Sequence, residues 1–136
     1  MALTRPSRRS RILALLSGIA VAALVTDVAA GTLTDDTRIE SKVLGYALQY
    51  RVYVPDGAPG QALRTLYVTD GAWYLEQGRM KAVLDEMIAA GRIEPVIVVF
   101  VDARDPDRLD TNRRNQQLIC KLNYASFFST ELVPRI

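Results

Sequence analysis

From Leu44 to Val54 the even positions are Leu44, Tyr46, Leu48, Tyr50, Val52 and Val54, whereas the odd positions hold Gly45, Ala47, Gln49, Arg51 and Tyr53. Such alternation predicts a half-buried strand. Ile39 and Val43 alternate with Glu40 and Lys42 just before it, and the phase changes at Gly45, which predicts a hairpin or bulge there. Pro55-Asp56-Gly57 and Pro59-Gly60 then supply turn residues.

The short apolar run Leu66-Tyr67-Val68 leads into Asp70-Gly71 and predicts a strand stopped by a glycine turn. Met80, Val83, Leu84, Met87 and Ile88 recur at helical spacing opposite Arg79, Lys81, Asp85 and Glu86, so an amphipathic helix is expected, closed by Gly91. The run Val96 to Val101 is continuous and mostly β-branched, as in a central parallel strand covered on both faces. Tyr124, Phe127, Phe128 and Leu132 predict a last helix, with Asn123 as its N-cap. Strand, helix and strand form one βαβ unit, and with the preceding hairpin they predict a mixed sheet in an α/β layer fold.

Composition changes this picture at the N-terminus. Arg5, Arg8, Arg9 and Arg11 precede the 14-residue apolar stretch Ile12 to Val25, and Val28-Ala29-Ala30 ends it with small residues. That is the layout of a secretory signal peptide, and the stretch is shorter than the roughly 20 residues of a spanning helix. Residues 1–30 are therefore expected to be a leader cleaved after Ala30, placing the mature protein in the periplasm or outside the cell. An uncleaved membrane anchor is the alternative. Ser7-Arg8-Arg9 leaves both the Sec and the twin-arginine route open.

The whole chain carries 17 Lys and Arg against 15 Asp and Glu, but without residues 1–30 the balance is 13 against 14. The basic excess belongs to the leader, and nothing in the remainder points to a nucleic-acid partner. There is no histidine and one cysteine. A histidine-based catalytic set is therefore excluded within these residues, and so is an internal disulfide. No serine sits in a G-x-S-x-G elbow. Asp102, Asp105, Asp107 and Asp110 are interspersed with Arg104 and Arg108 and read as a solvated charged loop rather than a calcium site. Cys120, flanked by Leu118-Ile119 and Lys121-Leu122, reads as a buried structural thiol. No metal or cofactor is expected.

The remaining candidate chemistry is Asp70-Gly71-Ala72-Trp73, a turn between strand and helix where backbone N–H groups are free to receive a developing oxyanion. An ordinary βα turn with an aromatic packing residue is the plain alternative.

Several segments in this order resemble the esterase family of α/β-hydrolases that includes esterase D, enterochelin esterases and feruloyl or acetylxylan esterases. They are Arg51 to Gly57, Leu66 to Trp73, Ile93 to Asp102, Asn112-Arg113-Arg114, and Tyr124 to Pro134. The resemblance implies an α/β-hydrolase-like three-layer fold, incomplete, over residues 31–136, with an antiparallel hairpin joining a mainly parallel sheet. It further implies a carboxylic ester hydrolase acting on a small-molecule ester, such as a siderophore or carbohydrate ester, through a serine acyl-enzyme. In that family the nucleophile, acid and histidine follow the segment matched by Glu131 to Pro134, so the chain is expected to be an N-terminal portion, inactive alone. Carried over onto this sequence, Ala72 and Trp73 are the oxyanion N–H candidates, and Asp70, Gly71, Arg113 and Arg114 are the substrate-binding candidates. A non-catalytic periplasmic binding module and a degenerate, non-folding fragment are the rival readings. The membrane enters only through the leader, if it is uncleaved.

Overall fold

The computed structural model describes residues 31–57, 60 and 62–136, and the expected leader lies outside them. A mixed sheet is built from β1 (Thr32–Leu33), β2 (Thr37–Ser41), β3 (Tyr46–Val54), β4 (Arg64–Val68) and β5 (Val96–Asp102). Its order is β1-β3-β5-β4, with β2 also paired to β3. β3 runs antiparallel to β1, β2 and β5, and β4 runs parallel to β5.

Leu33 faces Tyr53 and Thr37 faces Tyr50, so the three residues 34–36 oppose the two residues 51–52 between β1 and β2. This extra residue is the bulge that divides the edge into two short strands. The β2–β3 hairpin closes over residues 42–45, where Gly45 adopts φ 75° and donates its N–H to Ser41 O at 2.9 Å. The phase change read at Gly45 is thus a left-handed turn position that glycine occupies without a Cβ penalty. Glu131 fastens this turn from the far end of the chain, accepting the Ser41 hydroxyl and the backbone N–H groups of Lys42 and Val43.

Between β4 and β5 lie α1 (Gly71–Glu76) and α2 (Met80–Ala89), which cover one face of the sheet. There Tyr53, Val98, Phe100 and Leu84 form a core with Leu75, Met80 and Ile88 around it. α2 ends as its sequence predicts: Gly91 takes φ 63° and its N–H bonds Ile88 O, while Arg92 N–H bonds Met87 O. The opposite face carries Leu48, Tyr50, Val99 and Val101 under Tyr124, Phe127 and Leu132. The resulting three layers are those of an α/β fold.

β5 is covered on both faces, because Val98 and Phe100 enter one core and Val99 and Val101 the other. β3 departs from its half-buried reading. Its odd residues Ala47, Gln49 and Tyr53 are buried as well, with Tyr53 packed beside Leu84 under α2 and Gln49 bonded to Asp102.

After β5 the chain makes a small hairpin of β6 (Arg104–Asp105) and β7 (Arg108–Asn112), then α3 (Arg114–Leu118) and α4 (Leu122–Phe127). The charged loop is therefore ordered into a hairpin, and Asp102 and Asp105 are buried rather than solvated. Lys121, not Asn123, stands at the N-cap of α4, which starts two residues earlier than the pattern indicated. α4 continues as a wide π-helical turn, Phe128–Leu132. An α-helix would set Leu132 roughly 140° around from Phe127, five residues back, and the wider turn brings both into the same core. Cys120 is exposed, contrary to expectation, in a left-handed turn with φ 53°. Its apolar neighbours Ile119 and Leu122 are themselves exposed, so they draw no thiol inward. None of the described helices is long and apolar enough to cross a membrane.

Phe127 is fully buried where α4 meets the sheet. Phe127→Ala is expected to lower stability by about 3–5 kcal/mol, read as a fall in the urea midpoint of the full chain with an unchanged slope. A loss below about 1 kcal/mol would show that α4 does not complete this core.

Candidate active site

β4 ends at Val68, and the chain turns through Thr69 and Asp70 into α1. Two constraints shape this turn. Asp70 stands in the left-handed region at φ 55° and ψ 35°, a conformation that aspartate tolerates better than most residues. Gly71 presses on β5 so closely that a Cβ there would lie 2.5 Å from the Phe100 carbonyl carbon. Only glycine fits this approach, so the first turn of α1 is fixed against the middle of the sheet.

The N–H groups that open the helix are then distributed unequally. Trp73 N–H donates to Asp70 O at 2.9 Å, and Tyr74 N–H reaches the same oxygen at 3.3 Å. Ala72 N–H has no hydrogen-bond partner among the described residues, as expected for an early helical amide. Of the two oxyanion candidates, Ala72 is the uncommitted one and Trp73 already has an acceptor. The Trp73 ring is 59% exposed and meets Tyr74 edge-on at 5.3 Å, forming an apolar shelf rather than a packed core residue.

Ala72 borders an open cleft whose other walls include Asp70, Trp73, Glu76, Ala103 and Arg104. The cleft lies at the carboxyl ends of β4 and β5, where ligands usually bind in open α/β sheets. Its floor is a charged network. The buried Asp102 carboxylate accepts the Gln49 side-chain amide at 2.9 Å, the Arg104 backbone N–H at 2.9 Å and the Arg104 guanidinium at 2.9 to 3.1 Å. Arg104 reaches on to Glu76 at 3.3 Å. Beside it Arg51 and Asp36 pair at 2.6 to 2.8 Å.

The two candidate arginines, adjacent in sequence, part in space. Arg114 extends to Asp70, with its Nε 2.9 Å from the carboxylate, so the structure joins two predicted site residues that lie 44 positions apart. Arg113 turns inward. Its guanidinium donates to Ala47 O at 3.0 Å and to Asp105, and it stacks over the Tyr46 ring at 4.5 Å. These internal partners tie Arg113 to both β3 and the β6–β7 hairpin. The pattern reading passed over Glu76 and placed Asp102 and Arg104 in a solvated loop, whereas all three line the cleft. The one available sign was that Asp102 ends a buried strand, which is where α/β sheets place functional groups. Among the described residues no three acidic or cysteine side chains gather closely enough to hold a metal ion.

Burial pushes the Asp102 carboxyl up, but the hydrogen bonds from Arg104 and Gln49 outweigh it and hold the group below its ordinary value of 3.8. The stabilisation this gives is complete above pH 3.8 and is lost as pH falls through the lower folded value. The urea midpoint of Asp102→Asn is therefore expected to fall less steeply between about pH 5 and pH 2 than that of the wild type. Arg104→Met, which leaves the buried carboxylate without its main partner, is expected to destabilise by about 2 kcal/mol near neutral pH. Equal acid sensitivity in Asp102→Asn and wild type would rule out this network as a source of the acid response.

A family model described as "Putative esterase" matches residues 41–136. No curated protein matches the chain. Among solved structures, the fold is similar to the enterobactin esterase of Shigella flexneri, solved in the presence of enterobactin, with TM-score 0.64 and 17% identity over 74% of this chain and 25% of that one. A ferulic acid esterase gives TM-score 0.61 and 24% identity over 79% and 42%. The enterobactin and salmochelin hydrolase IroE gives 0.58 and 16% over 78% and 46%. The chain thus spans between a quarter and under a half of the length of these structures. The identities speak for the α/β-hydrolase-like fold, and the family match extends over most of the sequence, including the turn and the cleft. The chain belongs to the Esterase family.

Proposed function

We propose that this chain forms part of an exported carboxylic ester hydrolase that works through a serine acyl-enzyme, and that its contribution is the oxyanion-binding turn after β4. The observation that carries the proposal is the uncommitted Ala72 N–H at the edge of the cleft, in a turn held rigid by Gly71 against Phe100. A fixed N–H dipole stabilises the charge that grows on the carbonyl oxygen as an ester is attacked, and it needs no reorganisation to do so. Trp73 N–H contributes only by sharing its hydrogen bond with Asp70 O.

Within these 136 residues there is no histidine and no G-x-S-x-G. The proposal therefore assigns nucleophile and base to residues outside them, and expects the chain by itself to be inactive. Export to the periplasm or beyond rests on the arginine-led apolar stretch of residues 1–30. A small-molecule ester is the proposed substrate, of the siderophore or carbohydrate ester kind, in line with the enterobactin and ferulic acid esterases that share the fold. The exposed Trp73–Tyr74 shelf gives an apolar acyl group a surface beside the cleft. Arg114, held on Asp70, gives the rim a positive group.

Incubated with p-nitrophenyl acetate, the chain is expected to release no more product than a heat-treated control, and clear turnover would overturn the assignment of nucleophile and base elsewhere. The sequence encoded after Ile136 decides between enzyme and binding module: a G-x-S-x-G followed by a histidine supports the enzyme, whereas a stop codon with stable expression supports the module. In a protein that carries those motifs, replacing the Ala72 amide by an ester is expected to lower kcat about 100- to 1,000-fold with KM little changed. An unaltered kcat would remove Ala72 from the oxyanion site.

A further inference from the structure

We propose that removal of residues 1–30 creates a charged N-terminus at Gly31 that seats on Asp85 as an ion pair, so that processing completes the fold it releases. The inference rests on the export reading above and adds what the new end binds. Two independent observations meet at one bond. The small residues Val28-Ala29-Ala30 place the cleavage before Gly31, and the tertiary structure places the Gly31 nitrogen 2.8 Å from Asp85 Oδ1, across 54 positions of sequence.

The seat is built for this end of the chain. The Tyr53 hydroxyl donates to the same Asp85 oxygen at 3.0 Å, and Lys81 Nζ donates to the other at 2.8 Å. Gly31 itself is buried against Tyr53, and a Cβ at this position would lie 2.3 Å from the tyrosine ring. No larger residue brings its nitrogen to Asp85 without displacing Tyr53. The Asp85 side chain is only 16% exposed, so solvent screens the contact weakly.

In the uncleaved chain the Gly31 nitrogen is an amide, with one hydrogen and no charge. A leader peptidase adds water across the Ala30–Gly31 bond: Ala30 leaves as a carboxylate, and the Gly31 nitrogen takes up protons to become an ammonium with three donors. One neutral hydrogen bond thereby becomes a charge-assisted one. The charged and titratable groups facing it are Asp85 and Lys81 from α2, and Tyr53 from β3, with Asp56 acting on Tyr53 from beyond the strand. Asp85 favours the ammonium. Lys81 opposes it but is itself paired to Asp85.

An α-ammonium titrates ordinarily near 7.7–8.0, and a neighbouring carboxylate raises that value. The stabilisation is then complete below about pH 7.7 and is lost as pH rises through the higher folded value. The uncleaved chain has no such titration.

The full chain is expressed in a bacterium that exports it, and the purified product is sequenced from its N-terminus. Gly31 is the expected first residue. The fraction of its α-amine acetylated by acetic anhydride is then followed against pH, in the native protein and in concentrated urea. The native midpoint is expected at least about one pH unit higher than the unfolded one, a tenfold preference for the ammonium, and lower again in Asp85→Asn. A product that keeps its leader overturns the export reading and the ion pair together. A product starting at another residue overturns the ion pair and leaves export standing. A Gly31 start with equal native and unfolded midpoints overturns the ion pair alone, and this comparison needs no variant to fold.

Discussion

Burial of β5 on both faces is the constraint that organises the molecule. Val98 and Phe100 project into the layer under α1 and α2, and Val99 and Val101 into the layer under α4. Each such side chain contributes roughly 1.5–3 kcal/mol when fully buried, but their arrangement matters more than their sum. A strand buried on both faces needs a partner on each edge and a cover on each side. β3 and β4 take the edges, and the helices take the faces. Gly71 is the tightest expression of this demand, because α1 reaches β5 only if residue 71 has no side chain.

The cleft is a consequence of the same strand. β5 ends in Asp102, whose backbone still pairs with Gln49 while its carboxylate emerges at the carboxyl end of the sheet. A buried carboxylate there is tenable only with donors around it, and Gln49, the Arg104 backbone and the Arg104 guanidinium supply them. Arg104 in turn orients toward Glu76 on α1, so the helix that starts at the Asp70–Gly71 turn is tied to the strand that supports it. Packing and polar bonding thus hold the Ala72 amide from two sides.

How much of this was legible depended on the range of the deciding interaction. The double cover of β5, the helix from Met80, the left-handed turn at Gly45 and the close at Gly91 rest on local periodicity and on glycine's freedom, which neighbours in sequence already express. The burial of the odd positions Ala47, Gln49 and Tyr53 in β3 was not legible, because distant groups such as Leu84 beside Tyr53 and Asp102 on Gln49 provide it. Cys120 read as buried from its apolar neighbours, but those neighbours are exposed in a turn between two short helices. Arg113 and Arg114 were indistinguishable as a pair. Tertiary contacts send one to Ala47, Asp105 and Tyr46 and the other to Asp70.

By itself the sequence determined the α/β layering, the place of the turn at Asp70 to Trp73, the family resemblance and the impossibility of a histidine-based triad within these residues. All of these follow from residue type and short-range spacing. Only the tertiary structure decided which amide in the turn stays unpaired, which arginine reaches Asp70, that Asp102 is buried in a donor cage, and that Gly31 meets Asp85. These depend on atoms brought together from positions as many as 54 residues apart, and no local pattern specifies which of several nearby donors a carboxylate or a carbonyl will take.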